Sequence, residues 1–323
     1  MKKYIVIMML SLVTFSCKSN SEPTNPEQPE EQIDKPIPFE LGFSIGISAI
    51  TEDTLMKAKA AGIKYIEVSG TGVFIDDNGN FSQSDKEATE IMKKAKAAAD
   101  KAGIDIWSIH MPFGRIMDLS LIDEAKRNKV VESDKKLISY LEILEPEIVL
   151  FHPSYYIEKP FRRALHISQL IKSAKDLNLA VQQIGATMVI ENMLGPELMV
   201  GDRQRPLLRT VSEVKQVFQR LPESIGLGID LNHIAHPEEL ILAMRDKVLT
   251  LHVADGTGKA ENHWMPHPCS GSGKNNWNKI QDALYEIGYQ GPFLYETSDY
   301  NSLKQLTECY YTLYNNYLNY LKK

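Results

Sequence analysis

Short apolar, β-branched runs alternate with charged amphipathic stretches along most of this chain. The runs are LGFSIGIS (41–48), IKYIEVS (63–69), IDIWSIHMP (104–112), PEIVLFHP (146–153), ATMVIEN (186–192), IGLGID (225–230), KVLTLHVAD (247–255) and GPFLYET (291–297). Between them lie segments such as DKEATEIMKKAKAAADKAG and DEAKRNKVVESDKKLISYLEILEP, which read as amphipathic helices. Strands that are apolar throughout are buried on both faces, as in a parallel sheet covered by helices. Eight strand–helix units predict an α/β fold of the (β/α)8 TIM-barrel kind, a single domain over residues 39–323. An open doubly wound sheet is the competing architecture. No G-x-G-x-x-G follows an early strand, so no nucleotide cofactor is expected. The final YYTLYNNYLNYL reads as a closing amphipathic helix and leaves the oligomeric state open.

The first 38 residues break this pattern. MKKYIVIMMLSLVTFSCKSN has two lysines, then an uncharged apolar run from Tyr4 to Phe15. That run is well short of the roughly 18 apolar residues that suggest a membrane span, so residues 1–16 read as a signal peptide. The stretch before Cys17 resembles a bacterial lipobox, with Thr14 where a leucine usually stands. That resemblance implies cleavage before Cys17 and lipid on its sulfur. Residues 17–38 continue as CKSNSEPTNPEQPEEQIDKPIP, too polar and proline-rich to bury a core, and read as a disordered tether. The expectation is an exported bacterial lipoprotein, held to its membrane by an N-terminal lipid alone and facing the periplasm or cell surface. Two other cysteines, Cys269 and Cys309, are too few for a disulfide framework, and their pairing stays open. Net charge is −6 with no long basic run, so no nucleic-acid partner is expected.

The ends of the predicted strands carry Glu67, His110, His152, Glu191, Asp230, His252 and Glu296. The last six come one each from strands three to eight, at the end of the barrel where catalytic groups gather. Glu191, Asp230, His252 and Glu296 end four consecutive strands and would aim at a shared point. Three carboxylates that close repel one another unless a cation sits among them. Oxygen and imidazole donors suit one divalent ion, Mn, Zn, Co or Mg.

At these residues the chain resembles a known group. VIENMLG, GIDLNHIAH, LHVADG followed by ENHWMPHPCSGSG, and FLYET are similar to the sequential motifs of the xylose isomerase-like TIM-barrel superfamily. That superfamily includes sugar isomerases and epimerases and the endonuclease IV type of apurinic-site nuclease. The resemblance implies that Glu191, Asp230, His252 and Glu296 bind the metal. It implies also that Glu191 and Glu296 exchange a substrate proton beside a carbonyl, through a metal-stabilised enediolate. His233, in the D-x-x-H pair with Asp230, would contact substrate or a second metal. Glu197 would grip the sugar, and His263 would lie near the metal. Two arginines of the epimerase branch are missing: Gly258 stands at one position, with Lys259 beside it as a substitute contact, and ENMLGPE lacks the other.

The expected activity is therefore metal-dependent isomerisation or epimerisation of a small carbohydrate. β-Elimination from a 3-keto-glycoside is the runner-up on the same site. His110, His152, His233, Glu261 and His263 also resemble the extra ligands of the trinuclear nuclease site, so phosphodiester cleavage is a further alternative. A non-catalytic sugar-binding lipoprotein is another. On the sugar reading, His110 and His152 hydrogen-bond sugar hydroxyls. Trp107, Phe113, Tyr155, Tyr156, Trp264 and Trp277 could each stack on a sugar, with Phe113 and Trp264 favoured by their place just beyond strand ends. His236 precedes Pro237 and two glutamates, which marks it as a helix start and part of the scaffold.

Overall fold

In the computed structural model, eight parallel strands run in the order β7-β6-β5-β4-β3-β2-β1-β8. They are β1 (Leu41–Gly46), β2 (Tyr65–Ser69), β3 (Asp105–His110), β4 (Ile148–Phe151), β5 (Thr187–Glu191), β6 (Gly226–Asp230), β7 (Val248–His252) and β8 (Phe293–Tyr295). The ring closes between β7 and β8 through the parallel bridge Val253–Tyr295, where Val253 N–H donates to Leu294 O at 2.7 Å. Each strand lies within its predicted apolar run, and the fold is a TIM barrel. The structure describes residues 35–195, 199–256, 262–269 and 272–323. Cys17, Glu197, Lys259 and Glu261 lie outside them, as does most of the predicted signal and tether.

Helices follow the strands: α1 (Glu52–Ala60), α2 (Asp85–Ala102), α3 (Glu124–Leu141), α4 (Arg163–Gln183), α5 (Val211–Phe218), α6 (Pro237–Met244), α7 (Trp277–Glu286) and α8 (Leu303–Tyr320). Their ends are written locally. Ser84 and Glu87 form a reciprocal capping box at the start of α2, and Gly103 ends that helix in the left-handed conformation. His236 is the N-cap of α6 with Pro237 at its first turn, and its side chain is exposed.

Alternation along each strand sorts the side chains into two groups. Ile66, Val68, Ile109, Val149, Phe151, Met188, Ile190, Leu227, Ile229 and Leu251 belong to the large core shared with the helices. Ile148, Leu150 and Val189 form a separate small cluster with Trp107 and Leu249, filling the barrel interior. Gly228 is needed there, because a Cβ at that position would lie 2.8 Å from Leu150 Cδ1. The inward phase ends, at the C-terminal rim, on the polar residues.

The opposite end is closed by aromatic residues. Phe39 stacks on Tyr285 with ring centres 4.7 Å apart and meets Tyr289 edge-on at 5.8 Å. Its N–H donates to Tyr310 Oη, and Tyr314 Oη donates to Pro36 O, each at 2.5 Å. Two features went unread in the sequence. Ile157–Glu158, Met199–Val200 and Arg203–Gln204 build a small antiparallel sheet between the β4 and β5 loops. Cys269 and Cys309 form a disulfide that ties the β7–α7 segment to α8.

Candidate metal centre

One donor atom from each of Glu191, Asp230, His252 and Glu296 falls within 4.8 Å of the others. The four come from the ends of β5, β6 and β7 and the residue after β8, as the strand phase requires. His252 Nδ1 lies 3.2 Å from Glu191 Oε1 and 3.0 Å from Glu296 Oε2. Glu191, Asp230 and His252 are buried, while the Glu296 side chain keeps about a quarter of its surface open to the mouth.

Two further groups flank this set and share its carboxylates. On one side His152 Nε2 is 3.1 Å and His110 Nε2 3.7 Å from Glu191 Oε2. On the other, His263 Nε2 is 3.0 Å and His233 Nε2 3.4 Å from Asp230 Oδ2. Backbone carbonyls orient the rings: His110 Nδ1 is 3.0 Å from Met111 O and His233 Nδ1 3.0 Å from Asn192 O. These contacts fix the orientation of both rings and turn each Nε2 toward the carboxylates.

The charge balance favours a cation. Burial opposes charging His252, yet the facing carboxylates of Glu296, Glu67 and Glu191 outweigh it and hold its pKa well above the usual imidazole value. Burial likewise opposes charging His263, but hydrogen bonds to Asp230 and Glu296 raise it to about 11. Burial pushes Glu191 and Glu296 upward, and neighbouring histidines, His252 first, pull both well below the usual carboxylate range. At His152 burial prevails over Glu191, lowering its pKa and keeping the ring neutral. Side chains that draw protons onto imidazoles this strongly carry more negative charge than they balance themselves. A divalent ion of the Mn, Zn, Co or Mg kind would displace those protons, and the oxygen and nitrogen donors so freed fit it.

The segment carrying His263 is organised by Asp255, whose part was not foreseen. Its buried carboxylate accepts from Gly256 N, Lys274 N and Asn275 N on Oδ1 at 2.8–3.1 Å. Oδ2 accepts from His267 N at 2.9 Å and Trp277 Nε1 at 2.8 Å. Gly273 allows this approach, since a Cβ there would fall 1.8 Å from Asp255 Cγ. Thr297 Oγ1 donates to His263 O at 2.7 Å. Asn192 has a comparable role beside the ligand set: its Oδ1 accepts from Asp230 N at 2.8 Å and its Nδ2 donates to Asp230 O at 3.2 Å. The sequence signal for both was adjacency, Asn192 directly after Glu191 and Asp255 three residues after His252.

The aromatic candidates separate. Phe113 is 60% exposed and stacks on His152 with centres 4.3 Å apart, at the edge of the histidine group. Trp264 is half-buried and pairs with Asp255 through its backbone, beside His263. Trp107 lies in the barrel interior, donating to Thr250 Oγ1 at 3.1 Å, and buried Trp277 serves Asp255. Tyr155 and Tyr156 flank the Arg203 guanidinium, each ring centre 5.4 Å away.

The sequence model of the xylose isomerase-like TIM barrel family matches residues 55–310. The chain belongs to that family. An uncharacterised protein of Methanocaldococcus jannaschii is 25% identical over 235 residues, covering 67% of this chain and 86% of its relative. Among solved structures, the barrel resembles a D-tagatose 3-epimerase-like protein with a TM-score of 0.65 at 18% identity, over 87% of this chain and 99% of that one. It also resembles the Escherichia coli 3-keto-D-glucoside 4-epimerase in its apo form, with a TM-score of 0.63 at 13% identity, over 85% and 100%. At these identities the structural likeness establishes the fold of this family member.

Proposed function

We propose that this family member is a divalent-metal-dependent isomerase or epimerase of a small carbohydrate. The observation that carries the reading is the pair Glu191 and Glu296, which approach the same His252 nitrogen at 3.2 and 3.0 Å with Asp230 alongside. Glu191, Asp230, His252 and Glu296 would hold the ion. A divalent ion there supplies positive charge against which negative charge on the substrate's oxygens can develop. One of the two glutamates takes the proton beside the carbonyl from one face of the substrate, and the other returns a proton from the opposite face. His110, His152, His233 and His263 present ring nitrogens around the acids to bind and orient hydroxyls, and Phe113 offers an apolar face. Glu197 and Lys259 remain further substrate contacts proposed from sequence. The structural neighbours named as a 3-keto-D-glucoside 4-epimerase and as a D-tagatose 3-epimerase-like protein support the substrate class.

The test is to strip metal, restore single ions, and follow solvent-deuterium incorporation into aldoses, ketoses and 3-keto-glycosides. Exchange that depends on the ion and disappears in Glu296→Gln is the expected result. Loss of the aglycone from a 3-keto-glycoside would convert the reading to β-elimination. No exchange with any ion or sugar would overturn proton-transfer chemistry.

One observation favours a second reading. His110 and His152 share Glu191 with the central set, and His233 and His263 share Asp230, an arrangement able to hold more than one ion. Hydrolysis of a phosphodiester at a multinuclear site would use it. Two or three tightly bound ions per chain, with nicking of abasic DNA and no sugar exchange, would establish that alternative. The N-terminal segment we read as a lipoprotein signal and tether, exported and anchored through Cys17. Palmitate labelling that is lost in Cys17→Ser tests this.

A further inference from the structure

Glu67 is fully buried on β2, inside the barrel, and is not one of the four donors gathered within 4.8 Å. Its Oε2 accepts from Ser108 Oγ at 2.8 Å and lies 3.0 Å from His252 Nε2. Among the described residues, Oε1 has no hydrogen-bond partner. A buried carboxylate with one oxygen unsatisfied is expensive, typically several kcal/mol before any pairing. The barrel interior around it could have been filled by an aliphatic side chain, as Leu150 and Val189 fill it elsewhere. Something other than packing retains an acid here.

The geometry of His252 supplies the reason. The ring has two nitrogens, and each faces carboxylate: Nδ1 faces Glu191 and Glu296, and Nε2 faces Glu67. A divalent ion held with Glu191 and Glu296 would take the place of the proton on Nδ1, and the single proton left on His252 would lie on Nε2, where the Glu67 carboxylate can accept it. Nδ1 is then left with its lone pair directed at Glu191 and Glu296. An ion would relieve the repulsion between the Nδ1 lone pair and those two carboxylates, whereas the reverse tautomer would leave Nε2 and Glu67 as two acceptors facing each other with nothing between them. Ser108 fixes the carboxylate from the neighbouring strand, in register with it: Glu67 pairs with Ser108 across β2 and β3.

We infer that Glu67 is a positioning residue, holding His252 in the Nε2–H tautomer and raising its basicity toward a divalent ion at the mouth. The inference rests on the metal reading above and deepens it. It assigns Glu67 no contact with substrate and no part in proton exchange with it.

The experiment uses the whole metal-free protein, titrated with Co2+ by calorimetry and by the visible spectrum of the bound ion. Wild type is compared with Glu67→Gln and Glu67→Leu. Removing such a partner lowers metal affinity by about 10–100-fold. Glu67→Leu is expected to show that full loss and an altered Co2+ spectrum. Glu67→Gln should fall less, because its amide carbonyl still accepts from Nε2–H. The metal-free Glu67→Leu protein should melt no lower than wild type, because it no longer buries an acid. A purely structural role predicts the opposite, a lower metal-free melting temperature with Co2+ affinity and spectrum unchanged, and that result would overturn the inference. If Glu67→Leu does not fold, Glu67→Gln decides alone: affinity within about twofold of wild type would sink the proposal. Wild-type protein that binds no divalent ion would remove the metal reading itself, and this inference with it.

Discussion

The two ends of the barrel solve opposite problems with the same strands. At the N-terminal end, Phe39, Tyr285, Tyr289 and Phe293 stack and interlock, and the polar ends of Tyr310 and Tyr314 are spent on backbone groups of the entering chain. At the C-terminal end, Glu191, Asp230, His252 and Glu296 are drawn together with partial mutual satisfaction, and Glu67 beneath them carries an oxygen with no partner among the described residues. One end maximises contact; the other maintains a surplus of negative charge in a space where burial makes charge costly. Stability is thus unevenly distributed across the fold: the floor contributes to it and the mouth detracts from it.

The largest effect expected from breaking this contrast is at the mouth. Glu191→Gln and Glu296→Gln should each lower turnover by about 100- to 10,000-fold, the usual loss on removing a general acid or base. Rates of deuterium exchange under saturating metal would show it. If both variants keep wild-type rates, the two acids are not the proton carriers.

Metal removal comes next. An ion present at about 100 times its dissociation constant stabilises the folded state by about 2.7 kcal/mol. A chelator should therefore lower the melting temperature by several degrees, and excess Mn2+ should restore it. A melting curve indifferent to both would argue that the charge surplus serves some other end.

At the floor, Phe39→Ala should destabilise the fold by roughly 2 kcal/mol through lost aromatic contacts. Co2+ affinity of the folded protein should not change. A variant that weakened metal binding as well would show that the two ends are coupled through the strands.

The smallest effect tests whether buried acids outside the mouth behave differently. Asp134, on α3, is 1% exposed, and neither carboxylate oxygen has a hydrogen-bond partner among the described residues. Burial pushes its pKa well above the ordinary carboxylate value. The folded state therefore holds the proton more tightly than the unfolded chain, whose aspartates titrate near about 3.9. The resulting penalty is absent below that pH and grows as pH rises through it toward the folded value. Asp134→Asn should raise the melting temperature at pH 7, and the gain should vanish as the pH is lowered toward 4. Equal stability of the two proteins at pH 7 would contradict this.

Much of the barrel was visible in the residue pattern. The eight apolar runs each contain their strand, and the polar rim residues stand at the ends that the phase of each strand predicts. Capping residues such as Ser84, Gly103 and Pro237 mark helix ends through contacts within a few positions, which is why they can be read from sequence. The small sheet that pairs Ile157 with Gln204 could not be, because two-residue strands carry no periodicity. Trp107 and Phe113 look alike as aromatic residues near the end of β3. A register shift in the β2–β3 pairing beside Trp107, and the closure of the ring, decide that one fills the interior and the other stays exposed.

By itself, then, the sequence determined the repeating unit, its alternation and the residue types at the rim, all of which depend on neighbours a few positions away. The order of the strands already grouped Glu191, Asp230, His252 and Glu296, and only the tertiary structure decided which other groups meet them. Glu67 reaches His252 across 185 positions, and His152 and His233 find the same Glu191 from different strands. A strand's periodicity says which way a side chain points. Whether several point at one place depends on closing the ring, which no local pattern encodes.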